Sequence, residues 1–165
     1  MQIGESFIGE GVNAAHINTV YGHRDGPAGV AWATALATPS QGHVPFMAVL
    51  QPSMPTKPPT LFVTKAAPAS SEHGVMIWGP AQAGVAAGVM DAVAAGDLKA
   101  EDLDKSCIIA AVWVNPEADD ADLIFKNNRE ATKRALGNGA KDLPGLDAVL
   151  EARQRPSNPY FSPEN

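Results

Sequence analysis

The 165-residue sequence has a single cysteine, Cys107. One thiol forms no intramolecular bridge, and a four-cysteine zinc site is excluded. Charge is also sparse, with 18% charged residues and a net charge of −6. Lacking a basic excess, the chain does not read as a partner of nucleic acid or of an anionic membrane surface. Long apolar runs are missing too: the longest, residues 108–114, is far short of the roughly 20 residues that span a bilayer. The first residues, Met1-Gln2-Ile3-Gly4-Glu5-Ser6, show no basic stretch followed by an apolar one, so no signal peptide is read. These absences together predict a soluble, cytoplasmic protein without a membrane or nucleic-acid partner. Apolar residues make up 45%, as in folded chains. The length suits one domain over residues 1–165, large enough to hide roughly 68–70% of its unfolded surface.

Glycine and proline, 15 and 14 residues, punctuate ordered segments. Alternation predicts a strand over residues 14–21, with His16, Asn18 and Val20 on one face. A helix is predicted over 27–37, opened by Pro27 after Asp25 or Gly26 and stopped by Pro39. Residues 46–50 and 60–65 read as strands, and the four prolines of residues 51–59 argue against regular structure between them. Residues 70–78 are open to two readings, a short helix capped by Ser70 or Ser71, or a strand over 75–78. A helix follows from Pro80 to about Ala95, its small Ala and Gly positions allowing close packing. Residues 107–114 suit a central strand covered on both faces. A last long helix runs from Asp119-Asp120 to about Leu136, with Gly137-Asn138-Gly139 as its stop. A short helical stretch after Pro144 gives way to an irregular tail from about residue 155. Strands and helices mix without regular alternation, which predicts an α+β fold, a mixed sheet with helices packed on one face.

Motifs with chemistry are few. Gly84 and Gly88 fall inside a helix, so they form no dinucleotide fingerprint. His16, His23, His43 and His73 are scattered and lack metal-site spacing, so no metal is expected. Cys107, within the apolar run, reads as a small buried hydrophobe. His16 can work as acid or base near neutrality and shares a face with Asn18; a hydrogen-bonded structural histidine fits the pattern equally. Lys65 could meet an anionic ligand or cap a strand edge. Gln82 could offer its amide to a ligand or face solvent.

These residues sit within stretches that resemble the formaldehyde-activating enzyme family. The stretches are Gly4-Glu5-Ser6-Phe7-Ile8-Gly9-Glu10-Gly11, Ala15-His16-Ile17, Lys57-Pro58-Pro59-Thr60-Leu61 through Lys65, Gly79-Pro80-Ala81-Gln82-Ala83-Gly84-Val85-Ala86, Asp91-Ala92-Val93, Glu117-Ala118-Asp119-Asp120-Ala121 and Glu130-Ala131-Thr132-Lys133. They recur in family order over most of the chain. The resemblance implies condensation of formaldehyde with tetrahydromethanopterin, the reduced pterin serving as co-substrate, in one-carbon metabolism, methylotrophy and formaldehyde detoxification. It implies a left-handed βαβ architecture like the second domain of a small-subunit ribosomal protein, and a homopentamer binding pterin between subunits. The family's general acid falls on His16, and its pterin-contacting positions fall on Asn18, Met47, Lys65, Ala67 and Gln82.

Three positions depart from the family pattern, which carries Asp where this chain has Asn18, Thr for Ala67 and Leu for Met47. The last swap conserves volume, whereas the others remove a charge and a hydroxyl. Two functions of different class follow: a pterin-dependent formaldehyde-condensing lyase, or a homologue that binds or senses formaldehyde or a reduced pterin without turnover.

Overall fold

A computed structural model describes residues 1–163. Strands β1 (Gln2–Ile8), β2 (Ala15–His23), β3 (Phe46–Met47), β4 (Val49–Gln51), β5 (Met54–Pro55), β6 (Thr60–Thr64) and β7 (Ser106–Trp113) alternate irregularly with helices α1 (Pro27–Ala37), α2 (Ser71–Met76), α3 (Gln82–Ala94), α4 (Ala121–Ala140) and α5 (Leu146–Ala152). Five strands form one mixed sheet in the order β1-β2-β7-β6-β3, and β4 pairs with β5 in a small hairpin. The β6–β7 pair is parallel and the other pairs are antiparallel. Parallel neighbours need a crossover, here supplied by α2 and α3. The fold is α+β.

Residue parity along the strands decides what each face meets. Ala15 and Ile17 of β2, Phe62 of β6, and Ala110 and Val112 of β7 are buried in a core with Val85 of α3 and Ile124, Ala131 and Ala135 of α4. Tyr21 and Ile108 continue the same face against Val89, Ala92 and Leu136. The opposite parity meets α1 at one end only, where a Cβ on Gly22 would lie 3.0 Å from the Ala28 Cβ. Farther along, Ile109, Ala111 and Trp113 are only partly buried. The expectation of a strand covered on both faces therefore holds for the helical side alone, because α1 is too short to roof the whole sheet.

Close helix packing follows from small residues. A Cβ on Gly84 would come within 2.5 Å of the Phe125 carbonyl oxygen, and one on Gly88 would strike the Arg129 carbonyl. Side-chain-free positions thus let α3 and α4 touch backbone to backbone. A bidentate Arg129–Asp91 pair, at 2.6 and 2.9 Å, bridges the same two helices at the surface.

Three expectations are corrected. The stop at Gly137-Asn138-Gly139 is not used, since α4 continues to Ala140. These glycines serve proximity: a Cβ on Gly139 would meet the Ile3 carbonyl oxygen at 3.1 Å, and one on Gly137 the Asp97 carboxylate at 3.1 Å. The proline-rich segment does hold a two-residue strand, β5, with Met54 opposite Gln51 and Pro55 opposite Val49. A proline is tolerated there because the hairpin is short and at an edge. The third is β1, for which residues 2–8 gave no signal. Residues 70–78 resolve as helix: Ser70 caps α2, its Oγ accepting from the His73 N–H at 3.1 Å. A π turn over Ile77–Ala81, holding Pro80, then joins α2 to α3.

Candidate active site

The uncovered face of the sheet carries the candidate residues. His16 and Asn18 stand on β2 with parity opposite to the core. In the β1–β2 register Phe7 faces His16 and Glu5 faces Asn18, while β7 sets Trp113 beside His16. Lys65 follows β6, its backbone N–H donating to the Val112 carbonyl at 2.8 Å. These residues line a cleft of about 610 Å³, whose remaining wall is the tail from Ser157 to Tyr160. Within that tail the Tyr160 N–H donates to Asn158 Oδ1 at 2.9 Å. The turn presents the Tyr160 ring edge-on to Trp113, with centroids 6.3 Å apart.

Electrostatics centre on His16. Its Nε2 lies 3.0 Å from Glu5 Oε1. The Lys65 ammonium donates to the His16 carbonyl oxygen at 3.4 Å. Partial burial and the nearby Lys65 cation lower the pKa of His16 below its usual value, and the Glu5 carboxylate opposes both. Burial likewise pushes Lys65 down to about 8, again against Glu5. The cleft therefore holds two bases whose charged forms are disfavoured, with one carboxylate between them. Such an arrangement suits proton transfer near neutral pH.

The six residues expected at the site divide into two groups. His16, Asn18 and Lys65 meet in the cleft. Met47, exposed on β3, lines a separate pocket of about 260 Å³ with Arg24, Trp32 and Cys107. Ala67 lies beyond β6 and packs against Gly42, where φ is +77° and a Cβ would come within 2.5 Å of the Ala67 methyl. Gln82 opens α3, buried rather than facing solvent, and its Oε1 accepts from the Val49 N–H at 2.6 Å. Within one chain these three do not reach the His16 cleft.

His73 is buried and structural. Its Nδ1 accepts from the Ala69 N–H at 3.0 Å, which leaves Nε2–H to donate to the Val114 carbonyl at 3.0 Å. Burial raises the Cys107 thiol pKa, as expected of a packed cysteine. Among the described residues no group of three or more His, Cys, Asp or Glu side chains could hold a metal ion, and no helix is long and apolar enough to cross a membrane.

Sequence reasoning missed Glu5, Phe7, Trp113 and Tyr160. The first two lie on the unrecognised strand and Trp113 was absorbed into an apolar run. Nothing periodic marks Tyr160.

The family model described as formaldehyde-activating enzyme matches residues 3–161. A bifunctional enzyme Fae/Hps from Archaeoglobus fulgidus is 40% identical over 159 residues, covering 96% of this chain and 40% of that protein. Its counterpart from Methanocella arvoryzae is 41% identical over 154 residues, 93% of this chain and 39% of the relative. The chain thus spans about two fifths of the length of these bifunctional relatives. A 5,6,7,8-tetrahydromethanopterin hydro-lyase from Methanosarcina barkeri is 39% identical over 158 residues, covering 96% of this chain and 89% of that protein.

Proposed function

From the fact that the chain belongs to the formaldehyde-activating enzyme family, we propose that it is a hydro-lyase condensing formaldehyde with tetrahydromethanopterin to methylene-tetrahydromethanopterin and water. The observation that carries this reading is the titratable His16 in an aromatic-walled cleft, hydrogen-bonded to a carboxylate. A volume of about 610 Å³ lies within the range of small-molecule sites. Phe7, Trp113 and Tyr160 supply flat apolar surface for a bicyclic ring.

In this reading, formaldehyde adds to one pterin amine without help, giving a carbinolamine. His16 in its protonated form then acts as general acid. Its N–H bond breaks, an O–H bond forms on the carbinolamine oxygen, and the C–O bond breaks so that water leaves with the bonding pair. The second pterin nitrogen closes the ring on the resulting iminium, and the proton it sheds restores imidazolium. Lys65 and Asn18 bind the pterin beside His16. General acid catalysis contributes typically about 10²–10⁴-fold, and fixing the two nitrogens adds to it.

Met47, Ala67 and Gln82, as further pterin contacts, would have to come from another copy. A homopentamer with pterin between subunits accounts for this, and the exposed apolar side chains of Val30, Val44, Trp78 and Leu146 support assembly. The reading places the protein in the cytoplasm, which cell fractionation checks. Light scattering at micromolar concentration tests the assembly.

The decisive experiment measures methylene-pterin formation above the spontaneous rate, with tetrahydromethanopterin and tetrahydrofolate compared. The expected result is acceleration with the first, lost in His16→Ala while pterin affinity stays within a few-fold. Pterin binding without acceleration by the parent, or full turnover in a folded His16→Ala variant, would overturn it.

A further inference from the structure

A histidine that donates a proton needs more than a place in a cleft. It must stay charged often enough, and its ring must not turn. Three observations bear on how this chain meets those needs. Glu5 Oε1 lies 3.0 Å from His16 Nε2. Glu5 is the direct cross-strand partner of Asn18 and hence the diagonal neighbour of His16, within reach for side chains on one face of a sheet. Its own side chain is mostly exposed and contributes nothing to the core. A carboxylate that stabilises no packing, set on the nitrogen of the one histidine in the cleft, has a chemical use.

Resting on the proposed lyase reading, we propose that Glu5 is the positioning residue of the site: its carboxylate accepts the Nε2–H of His16, fixes the ring, and leaves Nδ1 to carry the proton that the departing oxygen takes. The transfer moves one proton from Nδ1 to that oxygen, and Glu5 stays ionised throughout. The charged groups facing His16 are Glu5 from β1 and Lys65 from the end of β6, while β7 presents neutral Trp113 and the tail contributes the Tyr160 phenol. Lys65 and burial both act against imidazolium. Glu5 is the negative charge that offsets them. It also stands opposite Asn18, so the carboxylate absent from position 18 is supplied from the neighbouring strand.

The test is the isosteric Glu5→Gln, with the double variant Glu5→Gln, Asn18→Asp beside it. An opposite charge within about 4–6 Å moves a pKa by about 1–3 units. Loss of Glu5 therefore reduces the imidazolium fraction, and turnover with it, about tenfold or more at pH values above the His16 pKa. The activity falls with rising pH as His16 deprotonates, and in Glu5→Gln this limb moves to lower pH by about one unit or more. Turnover recovers below it, with KM for pterin little changed. Asn18→Asp on that background returns the limb toward its parental position, because a carboxylate again occupies the His16 face. Nuclear magnetic resonance titration of His16 in parent and variant reads the same shift without turnover. Absence of pterin-dependent activity in the parent would thus sink the lyase reading and leave the titration to judge Glu5. A titration curve that does not move, or a loss of rate equal at every pH, would overturn the positioning role.

Discussion

Lys65 offers the sharpest link between stability and function. Its ammonium is half-buried beside His16, and its pKa is depressed from 10.5 to about 8. Each tenfold loss of proton affinity corresponds to about 1.4 kcal/mol in a fully buried setting. With half the group in contact with water, screening reduces the net penalty to about 1 kcal/mol. Lys65→Met keeps the apolar stem and removes the cation, so it should stabilise the fold by about 1 kcal/mol, raising Tm by about 2–4 °C. The pH dependence gives the sign independently. Between about pH 8 and 10.5 the unfolded chain still holds the Lys65 proton that the folded chain has released, so parental stability rises with pH across that window. Below pH 8 the whole penalty is present. The advantage of Lys65→Met should therefore be full at pH 7 and vanish near pH 10.5, as followed by thermal unfolding in matched buffers. The same variant should bind pterin more weakly, a case of a site group retained against stability. A lower Tm at pH 7, or an advantage equal at pH 7 and pH 10, would refute the reasoning.

Other substitutions test separate parts of the argument. Gly84→Ala places a methyl within 2.5 Å of the Phe125 carbonyl oxygen, so forcing α3 from α4 should cost about 1–3 kcal/mol in urea unfolding. Gln82→Ala leaves the Val49 N–H without its acceptor; a loss of about 1–2 kcal/mol is expected by the same assay, whatever happens to pterin binding. Asn18→Asp alone adds a carboxylate opposite Glu5, which should favour His16 imidazolium and carry the activity limb to higher pH. Steady-state rates across pH 5–9 decide it, and an unmoved limb would show that position 18 does not sense His16.

What could be read in the sequence follows from how strongly side chains reported their surroundings. Strands β2 and β7 and helix α1 were legible because Ala15, Ile17 and Ile108 are apolar where buried, and because Pro27 marks a helix start. Strand β1 was not, since its pattern is inverted. Gly4 and Ser6 are its buried residues while Ile3 and Glu5 are exposed, and a Cβ on Gly4 would collide with the Ala135 carbonyl of α4. Only the smallest residues fit beneath that helix, so hydrophobicity could not announce the strand. The same proximity made Gly137 and Gly139 look like a helix stop. For the site, period two placed His16 and Asn18 together, and the structure puts them in one cleft. Glu5 stayed hidden with its strand, and Tyr160 depends on where an aperiodic tail folds back.

A π turn holds one residue more than an α-helical turn of similar rise, so Ile77–Ala81 amounts to a retained insertion in a helix that otherwise runs from Ser71 to Ala94. Deleting one residue there would restore uniform α geometry yet rotate all that follows by about 100°. Gln82 would swing away from Val49, and Gly84 and Gly88 would turn off the α4 backbone. The segment is therefore frozen in length. Gains and losses of residues among homologous chains should collect in the mostly exposed loop of residues 38–44 and be missing from residues 77–81, a pattern that an alignment of relatives can display without any assay.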